Sequence, residues 1–300
     1  MNQKELIRLE GATYLVVGTC RNVERTIEAD VKRITNAIPS NKISWLVVES
    51  DSADRTLRAL SSLREEMPDF RYISEGALAN KIADRVERIS FCRNKYIKEI
   101  KENPIYSNVD YVIVADLDGL NNCISEAYFL TCQSRTDWDV CCANQSEGYY
   151  DLFALRHELW NPCDCFLQRD FINQYRHPKY KKSLLEKGLI QSKFIKIPEG
   201  SPWIEVDSAF GGLAIYRRDV IASSCYSHLD ASNRISCEHV QLHKKIKENG
   251  GRIFINPDFV NAKETEHTGH IFKPRLLRLW SRLLRSFLKR RHYITFYRKK

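Results

Sequence analysis

The chain is predicted to be an α/β protein with a mixed, mostly parallel sheet flanked by helices. Three observations predict it. Short apolar runs of strand length alternate with amphipathic helical stretches through the first 115 residues, each apolar run closes in a polar turn, and no hydrophobic segment is long enough to cross a bilayer. Residues 12–18 read as a buried strand ending in the turn Thr19, Cys20, Arg21, Asn22. Val23, Ile27, Val31 and Ile34 then recur at helical spacing. Residues 43–48 form a second strand closing in Glu49, Ser50 and Asp51, and Leu57, Leu60 and Leu63 mark the next helix. A short third strand at 70–73, a long helix at 82–101 and a fourth strand at 111–115 complete the alternation. Repeated βα units imply parallel pairing, because a crossover helix returns the chain to the same edge of the sheet.

Beyond residue 118 the rhythm changes. Residues 138–143 and 149–155 read as strands, followed by the stretch Trp160 to Phe166 and a polar region to about Pro198. Residues 203–216 form a strand-like run interrupted by Gly211 and Gly212. Residues 239–247 read as a helix, and 252–256 as a last strand stopped by Pro257. The division is a domain over 1–270, with a nucleotide-binding half at 1–120 and an acceptor-binding half at 121–270, and a tail over 271–300.

Charge is unevenly spread along the 300 residues. The net charge is +9, but residues 271–300 hold eleven Lys and Arg and no Asp or Glu, which leaves residues 1–270 at −2. A nucleic-acid-binding body is therefore disfavoured. In the tail, Leu276, Leu279, Trp280, Leu283, Phe287 and their neighbours keep one helical face apolar while Arg275, Arg278, Arg282, Arg285 and Lys289 fill the other. A basic amphipathic helix of this kind suits an anionic membrane surface, with contact over residues 275–291. Ten cysteines occur without a CxxC pair or a secretory signal, which favours free thiols and a cytoplasmic protein peripheral on the inner membrane face.

The chemistry gathers at strand ends. Asp116 and Asp118 follow the fourth strand directly, and ligands in open α/β sheets collect outside the carboxyl ends of strands. Two carboxylates there can hold Mn2+ or Mg2+ against a diphosphate, the DxD pattern of sugar-nucleotide transferases. Arg21, Glu49 and Asp51 close the first two strands, and Arg93 lies in the long helix before the fourth. An acid closing the second strand suits a ribose or base, and a guanidinium fork suits phosphate.

The segment from Arg85 to Lys95, the Asp116–Asp118 strand end and the string YYDLFALR at 149–156 resemble the fungal capsule-associated mannosyltransferases. The likeness continues through Ala209, Phe210, Gly211, Gly212, then Cys237, Glu238, then Asn256, Pro257, and spans about 85–260. It implies a GT-A fold and transfer of a sugar from a nucleotide donor with a divalent cation. It further implies GDP-mannose as donor and retention of anomeric configuration, in the synthesis of a cell-surface polysaccharide. On this reading the acceptor is a glycan or lipid-linked glycan.

Asp207 and Glu238 are the acids expected near the acceptor or the anomeric carbon, one as general base if the enzyme inverts, as a positioning carboxylate if it retains. Gly211 and Gly212 would let backbone approach the donor sugar. His270 and His267 are the candidates for a third metal ligand, His270 being the one assigned. A sugar-nucleotide nucleotidyltransferase is the alternative enzyme, although residues 18–22 offer one glycine where a phosphate loop wants several. A catalytically silent membrane-associated scaffold is the alternative outside enzymes.

Overall fold

A computed structural model describes residues 8–263. His267, His270 and the basic stretch 275–291 lie outside the described residues. Eight strands form one sheet: β1 (Tyr14–Cys20), β2 (Ile43–Glu49), β3 (Phe70–Ser74), β4 (Tyr111–Ala115), β5 (Val140–Gln145), β6 (Ile204–Val206), β7 (Leu213–Arg217) and β8 (Ile253–Ala262). Their spatial order is β3-β2-β1-β4-β7-β5-β8-β6. The β3-β2-β1-β4 half is parallel throughout, whereas β7 runs antiparallel between β4 and β5, so the sheet is mixed.

The helices are α1 (Ile27–Ala37), α2 (Thr56–Glu66), α3 (Arg85–Glu102), α4 (Glu126–Leu130), α5 (Cys165–Tyr175), α6 (Lys182–Leu189), α7 (Arg218–Ala222) and α8 (Glu238–Glu248). Strand alternation divides the core into two layers. Leu15, Val17, Leu46, Val48, Val112 and Val114 pack on one face with Cys92, Tyr96 and Ile100 of α3. Tyr14, Val16, Trp45, Val47 and Ile113 point to the other face and meet α1 and α2 through Val31, Ile34, Leu60 and Leu63. Burial on both faces explains why these strands read as continuous apolar runs. Each such side chain taken fully from water contributes on the order of 1.5–3 kcal/mol.

The second half departs from the sequence reading in four places. Residues 149–155 form turns and not a strand, because Asp151 takes the backbone N–H of Ala154 on its side chain (3.2 Å) and that of Leu155 on its carbonyl (3.1 Å), which coils the chain. The run 203–216 is two separate strands, β6 and β7, which pair with different neighbours. β8 continues through Pro257 because the β5–β8 register shifts there, so no ladder N–H is required, and the Pro257 carbonyl accepts from Asn144 Nδ2 (2.9 Å). Helix α5 also arises where only a polar region is expected. Asp164 caps it, accepting from the N–H groups of Phe166 and Leu167.

Candidate active site

A cleft of about 380 Å³ opens at the carboxyl ends of β1, β2 and β4 and is closed by α3, the 150–154 turn and the start of α8. Parallel strands place their termini on one edge, and this turns scattered sequence positions into one wall. Arg21, Asp51, Arg93, Asp116, Asp118 and Glu238 all line it.

Asp116 and Asp118 leave β4 through a tightly held loop. The Asp116 N–H donates to the Gly212 carbonyl (2.9 Å) and the Gly119 N–H to Asp30 Oδ2 (2.7 Å). Asp30 is buried in α1, and that burial pushes its carboxyl up to about 6 against the Gly119 hydrogen bond and Arg33. Leu117 points into the core between the two acids, so both carboxylates face the cleft. The loop is further fixed by a buried amide network. Asn121 Nδ2 donates to the Asp116 carbonyl (2.7 Å), Asn261 Nδ2 donates to Asn121 Oδ1 and to the Gly211 carbonyl (both 2.8 Å), and Gln145 Nε2 donates to Asn261 Oδ1 (2.9 Å).

Arg93 sits at the floor, 4% exposed. Its guanidinium lies 3.5 Å from Asp116 Oδ1 and 3.1 Å from Glu238 Oε1, donates to Tyr96 Oη (3.2 Å), and is sandwiched by the Phe210 and Tyr226 rings. Its charge is thus engaged with two carboxylates, and the sequence expectation of a fork free for phosphate gives way to a counter-ion for the acids. Even so, burial pushes Asp116 up to about 7, with Arg93 opposing and Asp118, Asp151 and Glu238 adding to the rise. Asp151 is raised as well, first by burial, against hydrogen bonds from the Gly211 and Ala154 N–H groups.

Glu49, Asp207, Gly211 and Gly212 fall outside the cleft lining. Glu49 is buried under the β2 turn, its carboxylate filled by the Ser52 N–H (2.9 Å) and the Ser74 hydroxyl (2.5 Å). Asp51 takes a left-handed backbone (φ 61°), accepts the Ala79 N–H (2.7 Å) and lies 3.7 Å from Arg88, while Arg21 Nε donates to the Asp51 carbonyl (3.2 Å). Asp207 does not reach the cleft. The chain alternates at the end of β6, so buried Val206 turns Asp207 outward, where it is 66% exposed and faces Lys247. Gly211 and Gly212 (φ 70° and 81°) lie behind the lining, and a Cβ on Gly212 would stand 2.2 Å from Leu120 Cδ2. Gly212 meets the protein's own β4 loop, and Gly211 meets Ala143 and Gln145 of β5.

Sequence reasoning missed four contributors. Asp151 stands in the YYDLFALR string but received no role. Arg85 and Arg88 stand one turn apart on α3, a spacing visible in the sequence, and line the cleft with Arg93. His239, next to Glu238, is 2% exposed, stacks on Phe210 at 3.9 Å, and neither ring nitrogen makes a hydrogen bond. Burial, then Arg93 and His243, hold it well below the usual histidine range, so the ring is neutral.

Among the described residues no three His, Cys, Asp or Glu side chains converge as a ready metal cage. Asp116 and Asp118 nonetheless fit a hard cation. They are oxygen donors on an open wall within a cluster of four acids, and Mg2+-type sites complete their shell with substrate phosphates and water. Among the described residues no helix is long and apolar enough to cross a membrane.

No protein-family model matches the chain, and no curated protein does. Solved structures do. The mannosyltransferase PcManGT from Pyrobaculum calidifontis, in complex with GDP-Man and Mn2+, is similar over 92% of this chain at 15% identity, with a TM-score of 0.51. This chain spans 65% of that one. TarS from S. aureus (13% identity, TM-score 0.46, 84% of this chain and 60% of that one) is a looser likeness. So is glucosyl-3-phosphoglycerate synthase from Mycobacterium tuberculosis with Mn2+, UDP and PGA (13%, 0.42, 96% and 81%). The fold rests on the first of the three alone: the mixed, mostly parallel α/β sheet of GT-A type expected from the sequence is borne out.

Proposed function

We propose that the chain is a metal-dependent glycosyltransferase that moves a sugar from a nucleotide-sugar donor to a glycan or lipid-linked glycan. One observation supports this most: the acidic pair ending β4 shares a single cleft with arginines from β1 and α3 and with the buried carboxylate of Glu238. Asp116 and Asp118 are assigned to hold Mn2+ or Mg2+, which when bound neutralises charge on the departing diphosphate. Arg21 and Arg85 face the cleft as partners for phosphate oxygens. Asp51 at the β2 turn suits the nucleoside, as acids do at that point of related sheets.

On the sugar side, Asp151 and the neutral His239 offer hydrogen-bonding capacity to hydroxyl groups. Glu238 is the carboxylate assigned to the acceptor. In an inverting reaction it takes the acceptor hydroxyl proton, and in a retaining one it positions the acceptor against an oxocarbenium-like centre. Arg93 keeps Glu238 and Asp116 apart and oriented. GDP-mannose is the first donor to test, on the sequence resemblance and because the solved mannosyltransferase holds GDP-Man. The tail over 275–291 would bring the enzyme to an anionic membrane for work on a cell-surface polysaccharide precursor.

The purified chain is incubated with Mn2+ and a panel of nucleotide sugars, and released nucleoside diphosphate is measured. Release with one donor, lost at least 100-fold in Asp118→Ala with an unchanged melting temperature, supports the reading. Pyrophosphate release from a nucleoside triphosphate and a sugar phosphate would assign a nucleotidyltransferase instead, and silence in both assays would leave a scaffold.

A further inference from the structure

The hairpin of α5 and α6 is rich in apolar residues yet buries almost none of them. Among the described residues, seven of the ten large apolar side chains left most exposed fall between positions 159 and 195. Leu167, Phe171 and Tyr175 stand one above the next on α5 at 43%, 63% and 75% exposure, and Tyr180 and Leu184 in the segment that follows are 64% and 57% exposed. Only Cys165 of α5 is fully buried, and no residue of α6 is. An exposed apolar stripe of this kind, with the Phe171 and Tyr175 rings 5.2 Å apart, marks an interaction site.

Its charge says with what. Residues 167–187 carry six Lys and Arg against two Asp and Glu, whereas residues 8–263 as a whole are neutral. Arg169 is engaged by Asp170 and Glu186, which leaves Arg176, Lys179, Lys181, Lys182 and Lys187 as the excess. Positive charge bordering exposed aromatic rings matches the headgroup layer of an anionic bilayer, where Phe and Tyr enter the interface and Lys and Arg meet lipid phosphates.

We infer that the α5–α6 hairpin is a membrane-contacting surface, with Phe171 and Tyr175 inserted among anionic headgroups. This contact is separate from the one expected of the tail. It also bears on the cleft, because Phe166 in the first turn of α5 packs edge-on against Phe153, a cleft-wall residue, at 6.2 Å. The inference does not depend on the transferase reading, since vesicle binding is read without nucleotide.

Co-sedimentation of the full chain with vesicles of phosphatidylglycerol and phosphatidylcholine tests it. Because the tail can bind as well, Phe171→Ser/Tyr175→Ser is made both in the native chain and in a Trp280→Ser/Phe287→Ser background. In that background, binding that persists and then falls at least tenfold with the hairpin variant, at unchanged melting temperature, supports the inference. Lys179→Glu/Lys181→Glu/Lys182→Glu should do the same and lower the salt sensitivity. The inference is overturned if the tail variant alone abolishes binding, if the hairpin variants bind as their parents do, or if pure phosphatidylcholine vesicles bind equally well. Loss of a dimer in place of vesicle binding would reassign the patch to a second copy of the chain.

Discussion

At the scale of single residues, the cleft is governed by how charge is buried. Arg93 is held between Asp116 and Glu238 with rings on either side, an arrangement that breaks badly if one member is removed, because the others remain buried and uncompensated. Behind it lies His243, whose Nδ1 meets the Ser208 hydroxyl (2.9 Å) and whose Nε2 meets the Tyr216 hydroxyl (2.8 Å). Burial pushes its pKa down to about 3, so the folded protein keeps the ring neutral while the unfolded chain takes up a proton near pH 6.5. The depressed value means its contribution is complete above pH 6.5 and is lost as pH falls towards 3. Compared with His243→Gln, the native protein should therefore lose about 1.4 kcal/mol of unfolding free energy per pH unit between pH 6 and 4. Urea denaturation of both proteins over that range measures it, and parallel pH profiles would contradict it.

At the scale of elements, the acidic loop after β4 is only as rigid as what lies under it. Asn121, Gln145 and Asn261 come from the β4 loop, β5 and β8, and together they satisfy one another and the Gly211 and Asp116 carbonyls. Asn261→Ala removes two donors and one acceptor from a site with no water-facing surface, leaving buried partners unsatisfied. It should cost about 1–3 kcal/mol in urea unfolding. Gly211 and Gly212 belong to this same device: their left-handed conformations bring the β7 approach against Leu120 and Ala143.

At the scale of the whole molecule, binding at the cleft should be linked to stability. With Mn2+ present, the matching nucleoside diphosphate at about 100 times its Kd should add about 2.7 kcal/mol, a rise in melting temperature of about 5–10 °C. Without the cation, or in Asp118→Asn, the rise should vanish. A shift of equal size in metal-free buffer would remove the acidic pair from the proposed role. The linkage follows from mass action, because a cleft assembled from the ends of β1, β2 and β4 exists only in the folded chain.

The alternation of apolar runs with helical spacing was enough to place β1 to β4 and their helices within a few residues. β1, β2 and β4 are buried on both faces, and nothing distant alters their pattern. For the same reason Asp116, Asp118, Arg21 and Asp51 could be assigned to one edge from sequence, since parallel topology alone brings such ends together. The second half yielded less. Side-chain capping by Asp151 overrode a strand-like run, a register shift carried β8 past its proline, and the charged α5–α6 hairpin, which buries almost none of its apolar residues, reads as a polar region. Which acids share the cleft was decided by tertiary structure. Glu238 and Asp207 look alike along the chain, but helix α8 starts at the cleft floor while the chain after β6 turns its acid to water. Strand periodicity is a local property of the chain, and the enclosure of a carboxylate is set by elements far away in sequence.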